Sequence, residues 1–159
     1  MATTTPQLIR EQQRDLIVAI TPGTFASYPF VEHIEKNVFA EWVELNAATC
    51  LRTFSIEDLS PYTSPLGGDY ESEEVVTQFA VSVAYPVSYS YGDDGVNGLA
   101  DVVEQDRLAI ERAIGIYGVA NYVSGQNGAW LAGFDIDRGE KAWLAVATYD
   151  INFRRAVSA

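Results

Sequence analysis

The sequence predicts an α+β domain: an antiparallel or mixed sheet of about four or more strands, with two main helices packed on it. Three observations carry this. Residues 75–91 alternate large apolar with small side chains over an unusually long run. Residues 5–20 and 99–117 each carry an apolar stripe at helical spacing. Two strand-like runs, AWLAGFDID and AWLAVATYDINFRR, flank the turn sequence DRGEK near the end of the chain. Period 2 and period 3.6 are the signatures of strand and helix. Helices and antiparallel strands that do not alternate strictly give an α+β layer arrangement.

The first helix is expected over 5–20, TPQLIREQQRDLIVAI. Thr5 suits the cap and Pro6 the first turn, where its missing N–H costs nothing. Ile9, Leu16, Ile17 and Ile20 form the stripe, with Arg10, Gln13 and Arg14 on the polar side. Thr21, Pro22 and Gly23 end it. Residues 28–47 fit both periods. Phe30, Ile34, Val38, Trp42 and Leu45 are at helical spacing, while Val31, His33 and Glu35 alternate, so a mixture of short elements is expected. Residues 49–56, TCLRTFSI, read as a strand. Residues 57–74 combine acids with Pro61, Pro65, Gly67 and Gly68, and are expected to form a long acidic loop, mobile before assembly.

The long alternating run follows. Val75, Thr77, Phe79, Val81, Val83 and Tyr85 lie on one face, with Val76, Gln78, Ala80, Ser82 and Ala84 on the other. The strand is expected over 75–85. Pro86 cannot donate to a ladder and marks an edge, a bulge or the exit from the sheet. Residues 92–98 are turn-forming. The second helix, 99–117, presents Leu99, Val102, Val103, Ile110, Ala113, Ile114 and Tyr117 on one stripe. Residues 129–137 and 142–155 then form a hairpin closed by 137–141. All 159 residues fit one domain with one core.

Composition narrows the function classes. Ten Lys and Arg stand against 22 Asp and Glu, for a net charge of −12. Between Arg52 and Arg107 there are eleven acids and no base. Gripping nucleic acid requires clustered cations, so DNA or RNA binding is not expected. An acidic face can instead keep the chain soluble, repel DNA or meet a basic partner. One cysteine, Cys50, precludes an internal disulfide. The opening residues MATTTPQLIREQQR lack the apolar core of a signal peptide, and no run approaches a membrane span. A soluble intracellular product is expected.

No catalytic motif appears. The single His33 precludes a multi-histidine metal site within the chain and leaves a nucleophilic triad one possible base. Cys50 lies within an expected strand, as a buried structural thiol does. The glycines of GVNG, 95–98, serve a turn and helix start, with no phosphate-loop lysine after them. Asp135 and Asp137, with Gly139 and Glu140, resemble a fragment of a calcium loop, but a hairpin end needs the same residues. No catalytic residue, metal ligand or cofactor is therefore assigned.

Asp106 is different. It falls in the middle of the apolar stripe of 99–117, where an unpaired carboxylate is costly. A buried ion pair is expected, with Arg52, Arg154 or Arg155 as partner. Arg107 and Arg112 fall outside the stripe and are expected on a solvated face with Glu104 and Glu111. The aromatics Tyr85, Tyr89, Tyr91, Tyr117, Tyr122, Trp130 and Trp143 have two readings, core filling and contact with neighbouring subunits. On the second reading Tyr85, Tyr89 and Tyr91, with Arg154 and Arg155, are the candidate subunit-interface residues.

The pattern resembles a family, the tail-terminator or tail-completion (neck) proteins of tailed bacteriophages. Four segments carry the resemblance: the helix LIREQQRDLIVAI, the strand VVTQFAVSVAYPV after the acidic loop, the Asp-Arg helix VVEQDRLAIERAI, and the closing strand ending ATYDINFRR. Residues 28–47 have no counterpart in it. The resemblance implies a non-enzymatic virion subunit that forms a ring, commonly a hexamer. The ring would cap the tail tube and join it to the head connector or other neck proteins, assembling in the host cytoplasm. DNA would pass through without specific binding, and no cofactor or membrane is implied. Another head–tail joining or head-completion protein would share these traits. A small hydrolase or ligand-binding domain built around Asp106 or Asp135 would instead need a deep pocket.

Overall fold

The computed structural model describes residues 6–20, 29–34, 37–59, 67–68, 72–89, 91, 96–114 and 126–156. In order these are α1 (Pro6–Val18), β1 (Val31–Glu32), α2 (Phe39–Leu45), β2 (Thr53–Asp58), β3 (Gly67–Gly68), β4 (Ser72–Pro86), α3 (Val96–Ala113), β5 (Gln126–Arg138) and β6 (Ala142–Ala156). The sheet is mixed, in the order β1-β2-β4-β6-β5, with β3 paired to β4 off that path. Among the described residues β1 alone runs parallel to its neighbour, and the other pairs are antiparallel. The chain is thus an α+β fold.

The alternation in β4 sorts the sheet into two faces. Phe79, Val81, Val83 and Tyr85 are buried together with Leu99, Val102, Val103, Ile110 and Ile114 of α3 and Ile17 of α1. Cross-strand partners share a face, so Phe54 and Ile56 of β2, opposite Val83 and Val81, join this helix-covered side. So do Trp143, Ala145, Ala147, Tyr149 and Ile151 of β6. The other face carries Ser55, Ala80, Ser82, Val146 and Thr148. Among the described residues it is α2 that packs there, joining Val43 to Cys50 and Ala84 over Leu144 and Ala142.

β4 pairs with β6 in unbroken register from Ser72–Ala156 to Pro86–Ala142. Its 15 residues span ~50 Å at ~3.3 Å each, against ~27 Å for the 18 residues of α3 at ~1.5 Å each. The strands therefore outrun the helices laid on them.

Several boundaries differ from expectation. Residues 28–47 do resolve into short elements, β1 and α2. β2 starts at Thr53 rather than 49, because Leu51 and Arg52 form a turn in which Arg52 takes φ 55°. The expected loop 57–74 is strand at both ends and at Gly67–Gly68; apart from Leu59, its remaining residues lie outside those described. β4 begins at Ser72 and keeps Pro86 as its last ladder residue, next to the hairpin end of β6. α3 starts three residues earlier than expected. Gln13, placed on the polar side of α1, is buried.

Candidate functional site

Asp106 lies on the core side of α3 and is 5% exposed. Of its three candidate partners, Arg52 is the one that meets it. Arg52 Nε and Nη2 donate to Asp106 Oδ2 and Oδ1, both at 2.9 Å. Tyr85 Oη donates to Oδ2 at 2.8 Å. The guanidinium carbon also stands 5.4 Å from the Phe30 ring centroid, a cation–π distance. Burial pushes the Asp106 carboxyl above the ordinary carboxylate range, opposed by Arg52 and the Tyr85 hydroxyl. Burial, and then the Asp106 charge, push the Tyr85 phenol well up. The group holds α3 to β4 and to the turn that leads into β2. Its carboxylate accepts three hydrogen bonds out of contact with solvent, which suits a clamp and not a proton shuttle to a substrate.

A second carboxylate on α3 is buried that the periodicity did not single out. Glu111 is 1% exposed and accepts from Arg107 Nη1 at 2.7 Å and from Tyr149 Oη at 3.4 Å. Arg107 also grips Glu104 through Nε and Nη2, which holds the Glu104 carboxyl below its ordinary range. Its guanidinium lies 5.3 Å from the Phe134 ring centroid. Arg107 is therefore not on a solvated face, as expected from the helical wheel. The aromatic ring of β5 and the buried Glu111 hold it between helix and sheet edge. Spacing on the helix alone could not reveal this, because the ring and Tyr149 arrive from distant strands.

The candidate interface tyrosines need correcting. Tyr85 and Tyr91 belong to the core, and Tyr91 Oη donates to the Pro86 carbonyl at 2.7 Å. Tyr89 is half-buried against Tyr91, with ring centroids 5.5 Å apart. The hydroxyl of Tyr85 faces inward to a charge, so Tyr85 and Tyr91 offer a neighbouring chain no surface. Arg154 and Arg155 are opposite Glu74 and Glu73 in the β4–β6 register; their side chains lie outside those described, as do Tyr117 and Tyr122.

The exposed apolar residues lie elsewhere: Leu8 and Val18 on α1, Leu59 and Val87 singly, and two further groups. One is on β1 and α2 with their connection: Val31, Ile34, Val38 and Leu45, with Ile34 85% and Leu45 81% exposed. The other is on β5, which forms one edge of the sheet: Trp130 is 44% and Phe134 36% exposed. Register divides β5 by face. Phe134, Ile136 and Arg138 pair with Ala147, Ala145 and Trp143 and lie on the helix side. Trp130, Asp135 and Asp137 pair with Asp150, Val146 and Leu144 and lie on the other. That second face therefore carries Glu57, Asp135, Asp137 and Asp150, and the β4–β6 register places Glu74 and its partner Arg154 on it as well.

A cavity of about 380 Å³ lies between α2 and the β5–β6 turn, lined by Val43, Glu44, Asp137, Glu140, Lys141 and Leu144 among others. It contains neither Asp106 nor Glu111. Among the described residues no helix is long and apolar enough to cross a membrane. No protein-family model matches the chain, and no curated protein matches it either.

Proposed function

We propose that the chain is a structural subunit of a virion that acts as a phage tail terminator does: it forms a ring, closes the end of the tail tube, and presents a surface to the head connector. One observation carries the reading. Large apolar side chains stand exposed at β5 and at β1–α2, besides Leu8 and Val18 on α1, Leu59 and Val87. A monomer of this charge gains nothing from them, whereas a ring covers the β5 and β1–α2 groups in every copy.

Two further features support it. The strands outrun the helices, as in subunits whose sheets are completed by neighbours. The sheet face away from α1 and α3 carries Glu57, Asp135, Asp137 and Asp150, with Arg154 opposite Glu74 at one end, and this excess of acids favours letting a polyanion pass without adhering. Under this reading the tail tube and the neck proteins are the partners, and the buried carboxylates are structural.

Electron microscopy of particles carrying a labelled copy of this chain tests the assignment. Label at the head-proximal end of the tube supports a terminator, and label on the head vertex assigns another joining subunit. A chain that stays monomeric at high concentration and binds neither tail tubes nor neck components overturns the ring. Separately, Glu71, Glu73 and Glu74 changed to Lys should slow DNA passage if that segment lines the channel. Unchanged ejection removes the segment from the channel and leaves the ring.

A further inference from the structure

The two edges of the sheet differ. β1 is an edge of two residues, too short to template a further strand. β5 is an edge of 13 residues, with Trp130 and residues 132–135 exposed. An open row of N–H and C=O groups of that length invites another strand. We propose that Asp135 seals this edge: its carboxylate occupies the outward amide of Ile136 and so keeps the β5 strands of two copies from pairing.

The direction of the main chain follows from the ladders. Val87 N donates to the Lys141 carbonyl at 2.8 Å, one step beyond the β4–β6 register that runs unbroken to Pro86–Ala142. Bonded and non-bonded pairs alternate in an antiparallel ladder. Pro86, which has no N–H, therefore falls on a non-bonded pair, and Val83–Ala145 and Val81–Ala147 fall on bonded ones. Ala145 and Ala147 thus turn their main-chain groups toward β4. Their partners on the other side, Ile136 and Phe134 of β5, have theirs pointing out of the sheet. Ile136 N donates to Asp135 Oδ1 at 2.9 Å. The donor that an incoming strand would need is already bonded to a charge, and the carboxylate stands where that strand's carbonyl would come.

Two further features act in the same direction. Register shifts between Gln126 and Gly128 and between Leu131 and Gly133 break the edge into short lengths. Gly133 sits at the second shift, where a Cβ would meet nothing within 4 Å among the described residues and φ lies outside the left-handed region. Neither packing nor backbone angle requires a glycine there, and a glycine weakens the strand as a template. The seal concerns the main chain, and leaves the Trp130 and Phe134 side chains exposed on their two faces. It is compatible with a ring and with a monomer alike. In a ring it limits contacts at the hairpin half of β5 to side chains, without a shared ladder.

The test uses Asp135→Val in the full chain, which frees the amide, and Asp135→Asn, which keeps an acceptor without the charge. Circular dichroism checks that both fold, and Asp135→Ala repeats the test if the valine variant does not. At low concentration the Ile136 amide should exchange about tenfold or more faster in Asp135→Val than in the unaltered chain, for the loss of one bond to a charged group. At high concentration Asp135→Val should associate beyond whatever the unaltered chain forms, by sedimentation velocity, with its Phe134 and Ile136 amides becoming protected together. Asp135→Asn should show less of both effects. Adding Ile136→Pro to Asp135→Val removes the outward N–H again, which an edge strand tolerates, and should abolish the extra association. Absence of either the faster exchange or the extra association overturns the seal. So does a proline double variant that associates as strongly as Asp135→Val, since the added apolar side chain would then be the cause.

Discussion

The Arg52 guanidinium and the Asp106 carboxylate, 54 residues apart in the chain, meet through two parallel hydrogen bonds of 2.9 Å. Bidentate geometry is the strongest form of this pair, and both side chains are nearly solvent-free. Removing one partner strands a buried charge. Arg52→Ala or Asp106→Ala should therefore cost about 3–5 kcal/mol in urea unfolding. Arg52→Met combined with Asp106→Leu should cost clearly less than the sum of the two, because no charge is left unpaired. Tyr85→Phe should cost about 1–3 kcal/mol through the lost bond to the carboxylate. Additive single and double costs would mean that the pair does not act as a unit.

Arg52 also occupies the left-handed region, at φ 55°, where a side chain costs about 1–2 kcal/mol. The position is held because its carbonyl accepts from Val31 N at 3.1 Å and its amide donates to the Ala84 carbonyl at 2.9 Å. Arg52→Gly loses the same ion pair as Arg52→Ala but relieves the backbone. Arg52→Gly should accordingly be the more stable of the two by about 1 kcal/mol, although glycine usually destabilises a folded chain relative to alanine. Equal stabilities would mean that the turn relaxes once the arginine is gone.

The same turn shows what the sequence could and could not reveal. The alternation in β4 and the β5–β6 hairpin were legible because each is a local pattern with one period. Asp106 was legible as an anomaly, a charge on an apolar stripe. Which arginine meets it was not, since that choice depends on a turn whose left-handed residue is an arginine and carries no glycine signal. Glu111 was missed because it lies at the margin of the stripe, and its burial comes from Tyr149 of β6 and from Arg107, itself held under Phe134. Tyr85 and Tyr91 were misread for a related reason. A tyrosine satisfied by a buried carboxylate or a strand-end carbonyl has the same sequence signature as one awaiting a partner.

Gly98 gives a test of close packing. It lies in the first turns of α3, where helix propensity favours alanine by about 1 kcal/mol. A Cβ there would fall on the backbone carbonyl oxygen of Tyr91. Backbone cannot step aside as a flexible side chain can, so Gly98→Ala should lower the melting temperature rather than raise it. Calorimetry on the variant settles the sign, and a rise would mean that Tyr91 and the helix start move apart freely.

Cys50 is fully buried beside Val43 and Ala84, and burial pushes its thiol up to about 11. The thiolate is the reactive species, so both access and ionisation protect it in the folded chain. Iodoacetamide at pH 8 should label Cys50 slowly in buffer and rapidly in denaturant. Leu144 and Trp42 pack on this small cluster, so truncating Leu144 to Ala should raise the labelling rate without unfolding the main core. Rapid labelling of the unaltered chain would mean that α2 lifts off the sheet.

Stability should fall on the alkaline side, and the tyrosines say where. Tyr85 and Tyr91 both have their phenols pushed above the ordinary value near 10, in each case chiefly by burial. The folded chain keeps these protons while the unfolded chain releases them. Stability from this source is complete below pH 10 and is lost as pH rises above it. Each such group adds a slope approaching about 1.4 kcal/mol per pH unit. Tyr91→Phe separates the two effects of the hydroxyl. At neutral pH it should cost about 1 kcal/mol, from the lost bond to the Pro86 carbonyl. Above pH 10 its stability should decline less steeply than that of the unaltered chain, by about one proton's worth of slope. Parallel decline in the two proteins, measured by urea midpoints from pH 9 to 11.5, would mean that Tyr91 ionises as freely folded as unfolded.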